Sequence, residues 1–169
     1  MDLRETQAPL KQRYRDDPEA ARVTLSADGS AADGPISCSI DIGRAVYEAQ
    51  AHVGVGGAGT AACSGDLLLG ALAACAQLTC QMVATAMEIP VRSVNARVEG
   101  DLDLRGTLGL ARDVPAGFGA IRLRIEVDAP EASDDELARL AQKTERYCTV
   151  AQTLIQPPPL AVELARPAG

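Results

Sequence analysis

The chain reads as α+β, with an antiparallel sheet packed around one long central helix. Three observations predict this. Residues 63–88, CSGDLLLGALAACAQLTCQMVATAME, form the longest apolar run and read as one buried helix. Residues 94–104 and 121–127 each alternate apolar with charged positions, the period of a half-buried strand. Strands and helices come in separate groups rather than as regular βαβ units. With 169 residues and no repeat, the chain is expected to hold a polar arm, 1–20, and a single domain, 21–169.

In chain order, the arm is expected to be helical from Ala8 to Arg15 and broken by Pro18. Val23 and Leu25 alternate with Thr24 and Ser26, as a short strand does. Ile36, Cys38 and Ile40 alternate with Ser37, Ser39 and Asp41, and residues 44–53 alternate again. The two runs predict a hairpin turning at Ile42-Gly43. GVGGAGT, residues 54–60, reads as a flexible loop. It has no phosphate-loop lysine and no long strand pattern before it.

The central helix carries its own punctuation. Ser64 is positioned as N-cap, Asp66 puts a negative charge in the first turn, and Pro90 stops the helix. At about 100° per residue from Cys75, Leu68, Ala71, Leu72, Leu78 and Met82 share its side. Asp66, Gly70, Gln77, Gln81 and Glu88 gather opposite. Cys75 is therefore expected to face a core or an interface. Because the helix is apolar over much of its circumference, a homodimer that buries it between subunits is the natural arrangement.

After the two long strands, Ser133 to Glu136 is a capping box. The helix it opens has an apolar stripe of Leu137, Leu140 and Ala141, with Arg139, Lys143 and Arg146 towards its far end. Cys148 follows, at the start of TVAQTLIQ. Residues 157–159 make a rigid proline joint, and residues 160–164 read as a last strand.

Composition narrows the function classes. A net charge of −7 argues against a nucleic-acid partner. A membrane partner is not expected either, because Asp66, Gln77, Thr79 and Gln81 interrupt the apolar run and no basic flank adjoins it. The polar N-terminus has no apolar signal core, so a cytoplasmic location is expected. Five cysteines in a reducing compartment are more often free, catalytic or metal-bound than structural disulfides. With one histidine and no C-x-x-C, a zinc site is not expected.

On pattern alone, Cys75 reads as a small core residue on an apolar helix face, and Cys148 as a packing residue beside Tyr147. Cys38, Cys63 and Cys80 read as structural. Cys80 lies on a different face from Cys75, so those two are not expected to pair.

Two motifs add to this. SGDLLLGALAACAQLT followed by IPVRSVNARVEGDLD, together with the later ERYCTVAQTL, resembles the OsmC/Ohr family of thiol-dependent peroxidases. The likeness covers roughly residues 20–165. It implies an intertwined homodimer with active sites at the subunit interface. It also implies that Cys75 is the peroxidatic cysteine and Cys148 the resolving one. The implied partners are an organic hydroperoxide as substrate and a thiol or dithiol as reductant, with no cofactor. Members with peroxidase activity supply an arginine from the early strands and a carboxylate shortly before the first cysteine. Here Arg22 and Arg44 flank the early strand region, and Gly65 stands at the carboxylate position. Cys75 lies too far inside its helix for the helix's own N-terminus to activate it, so a nearby cation is expected to do so. The alternative function is a non-enzymatic dimeric module that binds a small hydrophobic ligand or senses redox state.

Overall fold

The computed structural model describes residues 46–166 and the segments 7–9, 11–12, 16–17, 28–31 and 37–41. The expected strand at Val23–Leu25 lies outside the described residues. In the arm, residues 7–9, 11, 12 and 16 are helical, and the Gln7 amide reaches Met82 Sδ at 3.8 Å.

Strands β1 (Asp28–Ala31), β2 (Ser37–Asp41) and β3 (Val46–Gln50) form an antiparallel meander in that order. The expected hairpin is β2–β3, in register from Ser37↔Gln50 to Asp41↔Val46. The glycine-rich segment after it is a built turn rather than a flexible loop. His52 Nδ1 accepts from the Gly54 amide at 3.0 Å, and Gly56 and Gly59 take left-handed backbone at φ 96° and 74°. The Gln50 side chain then clasps Thr60, with Nε2 donating to Oγ1 at 2.8 Å.

Helix α1 spans Ser64–Ala86. Its N-cap is Cys63, one residue earlier than the sequence suggests. The chain arrives there extended and bridged to Gln50, so Ser64 is already inside the helix. Asp66 closes the end by accepting the Cys63 amide at 2.9 Å. At the other end, Glu88 adopts φ 61°, and two bonds close a Schellman cap: Ile89 N to Ala84 O at 3.0 Å and Glu88 N to Thr85 O at 3.2 Å. The helix therefore ends before Pro90 acts. Ile89, the residue after the left-handed one, is buried with Val83 and Ala84, which is the hydrophobic contact that usually accompanies this cap.

Strands β4 (Ser93–Leu102) and β5 (Phe118–Asp128) form the second sheet, an antiparallel pair. Val94↔Val127, Ala96↔Ile125 and Val98↔Leu123 face inward, and the charged positions face water. Arg97 stands directly opposite Arg124. Each guanidinium turns along its own strand instead, to Glu99 at 2.9 Å and to Glu126 at 3.1 Å. Leu104 does not extend β4. The Asp103 carboxylate accepts the Arg105 amide at 3.0 Å and opens a single helical turn, α2 (Leu104–Thr107).

Helix α3 (Asp134–Tyr147) starts with the expected capping box, since Ser133 N donates to Glu136 Oε2 at 2.9 Å. Helix α4 (Thr149–Ile155) follows after one residue, Cys148. Residues 160–164 do not form the expected strand. Leu160, Val162 and Leu164 are 89%, 84% and 97% exposed, because an alternating segment needs a sheet edge beside it to become a strand.

Helix α1 packs against β4, α3 and α4. Its buried residues are Leu72, Ala76, Thr79, Cys80, Val83 and Ala84. Their centre lies roughly 90° around the helix from Cys75, taking about 100° per residue. Of the five residues expected beside Cys75, Leu72 is buried, whereas Leu68, Ala71, Leu78 and Met82 are exposed. Cys75 sits on the border between the two arcs.

Candidate active site

Three elements bring Cys75 and Cys148 together. Cys75 is carried by α1, midway along it. Cys148 is both the last cap of α3 and the first cap of α4. Its amide donates to Thr144 O at 2.9 Å and its carbonyl accepts from Gln152 N at 2.9 Å, so the backbone is held on both sides. Its side chain is 0% exposed and packs with Leu72, Ala76 and Ala151, while half-buried Cys75 and Val150 close the cluster. Tyr147 is not part of this packing. It points outward, with the Arg146 guanidinium 5.6 Å from its ring centre.

Both thiols are free. Burial is the largest single influence on Cys75 and would push its thiol up. The Val150 amide, the Cys148 thiol, the Thr79 hydroxyl and the Thr149 amide together outweigh it, and the net direction is down. Cys148 goes the opposite way. Burial raises it, and donating to Cys75 raises it further. The pair thus sorts into one sulfur biased towards thiolate and one that keeps its proton.

Among the described residues, no cation is among the groups that act on Cys75. Neutral donors from the start of α4 and from Thr79 act on Cys75 instead. Arg22 and Arg44 lie outside the described residues. Asp66 is occupied at the helix start, as its place opposite Cys75 implied. At Gly65, a side chain would approach Phe118 Cζ to 3.2 Å, so the position of the expected carboxylate is taken up by the chain's single phenylalanine.

Sequence reasoning missed Thr79, Thr149 and Val150. Thr79 was findable, since it stands four residues after Cys75 on the same side of a helix. The two amides carry no sequence signal. Cys80 is separate from this group, at 2% exposure beside Thr144, and burial pushes its thiol up against a smaller opposing effect of the Thr144 hydroxyl.

Residues 57–163 match the family model described as OsmC-like protein. The chain belongs to the OsmC family. The OsmC fold recurs among solved structures. An OsmC-like protein from Mycoplasma pneumoniae aligns with TM-score 0.68 and 18% identity, over 80% of this chain and 89% of that one. An organic hydroperoxide resistance protein OsmC from Legionella pneumophila aligns with TM-score 0.62 and 18% identity, over 79% and 90%. An organic hydroperoxide resistance protein from Elizabethkingia anophelis aligns with TM-score 0.58 and 20% identity, over 80% and 91%. No curated protein matches the OsmC chain in sequence.

Proposed function

We propose that this protein reduces organic hydroperoxides with Cys75 as the attacking thiolate and Cys148 as the resolving thiol. The observation that carries the reading is the pair itself: a donor-rich Cys75 in contact with a buried, protonated Cys148. Membership of the OsmC family, some of whose solved members are named organic hydroperoxide resistance proteins, supports the same chemistry. Attack of the Cys75 sulfur on the distal peroxide oxygen breaks the O–O bond and leaves a sulfenic acid and an alcohol. Cys148 then displaces the sulfenic oxygen as water and forms a disulfide. An external dithiol reduces that disulfide, and no cofactor takes part.

The test is consumption of cumene hydroperoxide with dithiothreitol as reductant. Wild type is expected to turn over and Cys75→Ser to fall to the uncatalysed rate; equal rates for the two would sink the reading.

The working unit is proposed to be a homodimer in the cytoplasm, with neither nucleic acid nor membrane as partner. The exposed stripe Leu68, Leu78 and Met82 beside Cys75 supports the dimer, as do the unpaired apolar residues 160–164. Helix α1 is long and apolar enough to cross a bilayer, but its contacts with β4, α3 and α4 support a place in a protein core. Light scattering at micromolar concentration is expected to give twice the chain mass.

One observation favours the second reading, a module that holds a small hydrophobic ligand. A groove of about 1010 Å³ runs between β5, α3 and α4, lined by Ile121, Leu123, Leu137, Leu140 and Leu154, with Cys148 in its wall. Native mass spectrometry showing no retained or added ligand counts against that reading.

A further inference from the structure

The peroxide step leaves a proton unaccounted for. When the Cys75 sulfur takes the distal oxygen, the O–O electron pair departs on an alkoxide, which must be protonated. Among the described residues, neither a carboxyl group nor a cation is among the influences on Cys75. Asp66 is bound to the Cys63 amide on the far side of α1, and the position about three turns before Cys75 where the family resemblance places a carboxylate is Gly65, against Phe118. Thr79 and the amides of Thr149 and Val150 are donors of far lower acidity than a thiol. Among the described residues, the one acidic hydrogen aimed at the reacting sulfur is the Cys148 S–H, in the buried cluster that Cys75 closes.

We propose that Cys148 is also the acid of the peroxide step, handing its proton to the departing alkoxide as Cys75 attacks. The inference rests on the reading of Cys75 as the attacking thiolate. The balance is complete. Cys75–S⁻, RO–OH and Cys148–SH give Cys75–SOH, ROH and Cys148–S⁻. The new thiolate then attacks the sulfenic sulfur, forming the S–S bond and releasing hydroxide, which takes a proton from solvent. The transfer runs downhill, because even a thiol raised by burial is far more acidic than an alcohol. A thiolate in a fully buried, apolar setting is costly, so its formation there drives the next step. One residue thus couples the two half-steps: the resolving nucleophile is generated only when a peroxide has been cleaved. The geometry suits this, since the Cys148 backbone is pinned through both its amide and its carbonyl and its side chain has no contact with bulk water.

The experiment is single-turnover formation of the Cys75 sulfenic acid, trapped with dimedone, using ring-substituted cumene hydroperoxides of graded leaving-group acidity. It is run at a pH where alkylation shows Cys75 to be fully ionised in every variant, so that a change in thiolate fraction does not enter. In Cys148→Ala the first step is expected to slow about 100-fold. Its rate should also depend more steeply on leaving-group acidity than in wild type. Cys148→Ser, which keeps the volume and a hydroxyl but not the acidity, is expected to show the same loss and serves if the alanine variant does not fold. A first step at the wild-type rate in either variant, with the leaving-group slope unchanged, overturns the proposal and leaves Cys148 as a resolving thiol alone. That outcome is distinct from failure of the proposed reaction, in which wild type itself forms no trapped sulfenic acid.

Discussion

Helix α1 presents two thiols to the same partner helix, and the two surroundings differ. Cys80 meets Thr144 and Cys75 meets Cys148, one turn further along. Cys80 is 2% exposed, and burial decides its state: the thiol is pushed up and stays protonated. Cys75 is less buried, and it faces two backbone amides, a hydroxyl and a thiol, which together overcome desolvation. The helix alone therefore does not set the acidity of its thiols. The break between α3 and α4 separates them, because it leaves the amides of Thr149 and Val150 without carbonyls inside their own helix and turns them towards Cys75.

The largest expected effect separates the two thiols by function. Cys75→Ser is expected to lower hydroperoxide turnover at least about 100-fold, whereas Cys80→Ala stays within about twofold of wild type. Peroxide consumption with dithiothreitol reads both, and a comparable loss in the two variants would erase the distinction. Next comes acidity. In a pulse of iodoacetamide resolved by peptide mass, Cys75 is expected to react at a lower pH than an ordinary thiol, and Cys80 only on unfolding. Removing a donor from the thiolate raises its pKa, so Thr79→Val should move the Cys75 profile up by about one pH unit and slow its alkylation at pH 7 about tenfold. Thr79→Ser should restore both; a profile that ignores Thr79→Val would mean that the hydroxyl does not act on Cys75.

Smaller effects test the Cys80 side. Thr144 Oγ1 is buried with no well-formed hydrogen-bond partner. Thr144→Val is expected to stabilise the fold by about 1 kcal/mol in urea unfolding while leaving the Cys75 alkylation profile in place. The smallest effect lies at the end of α1. Glu88 holds a left-handed φ of 61° that glycine adopts without strain. Glu88→Gly is expected to gain about 0.5 kcal/mol in the same assay, since relief of strain is partly offset by the freer unfolded chain. A loss there would mean that the Glu88 side chain contributes more than its backbone costs.

Much of this architecture is local and therefore legible. Period-two alternation marked β4 and β5, and the Ser133–Glu136 box marked the start of α3. The two functional candidates, Cys75 and Cys148, were also readable, because each sits in a recognisable motif. The arc of α1 that meets the core was not. The helix is apolar on nearly every side, so periodicity could not choose among arcs, and packing against β4, α3 and α4 placed Cys75 at a border.

The activation of Cys75 was equally out of reach of the sequence. Residue types pointed to a cation or a carboxylate, since those are the side chains that announce a shifted thiol. Among the described residues, the donors are the Cys148 thiol, the Thr79 hydroxyl and two backbone amides, and an amide is recorded by no particular residue letter. The sequence by itself determined the long strands, the central helix and the capping box of α3, because those depend on neighbours along the chain. Only the tertiary structure decided which thiol is poised to ionise and which keeps its proton, because that depends on burial and on donors brought from elements more than seventy residues apart along the chain.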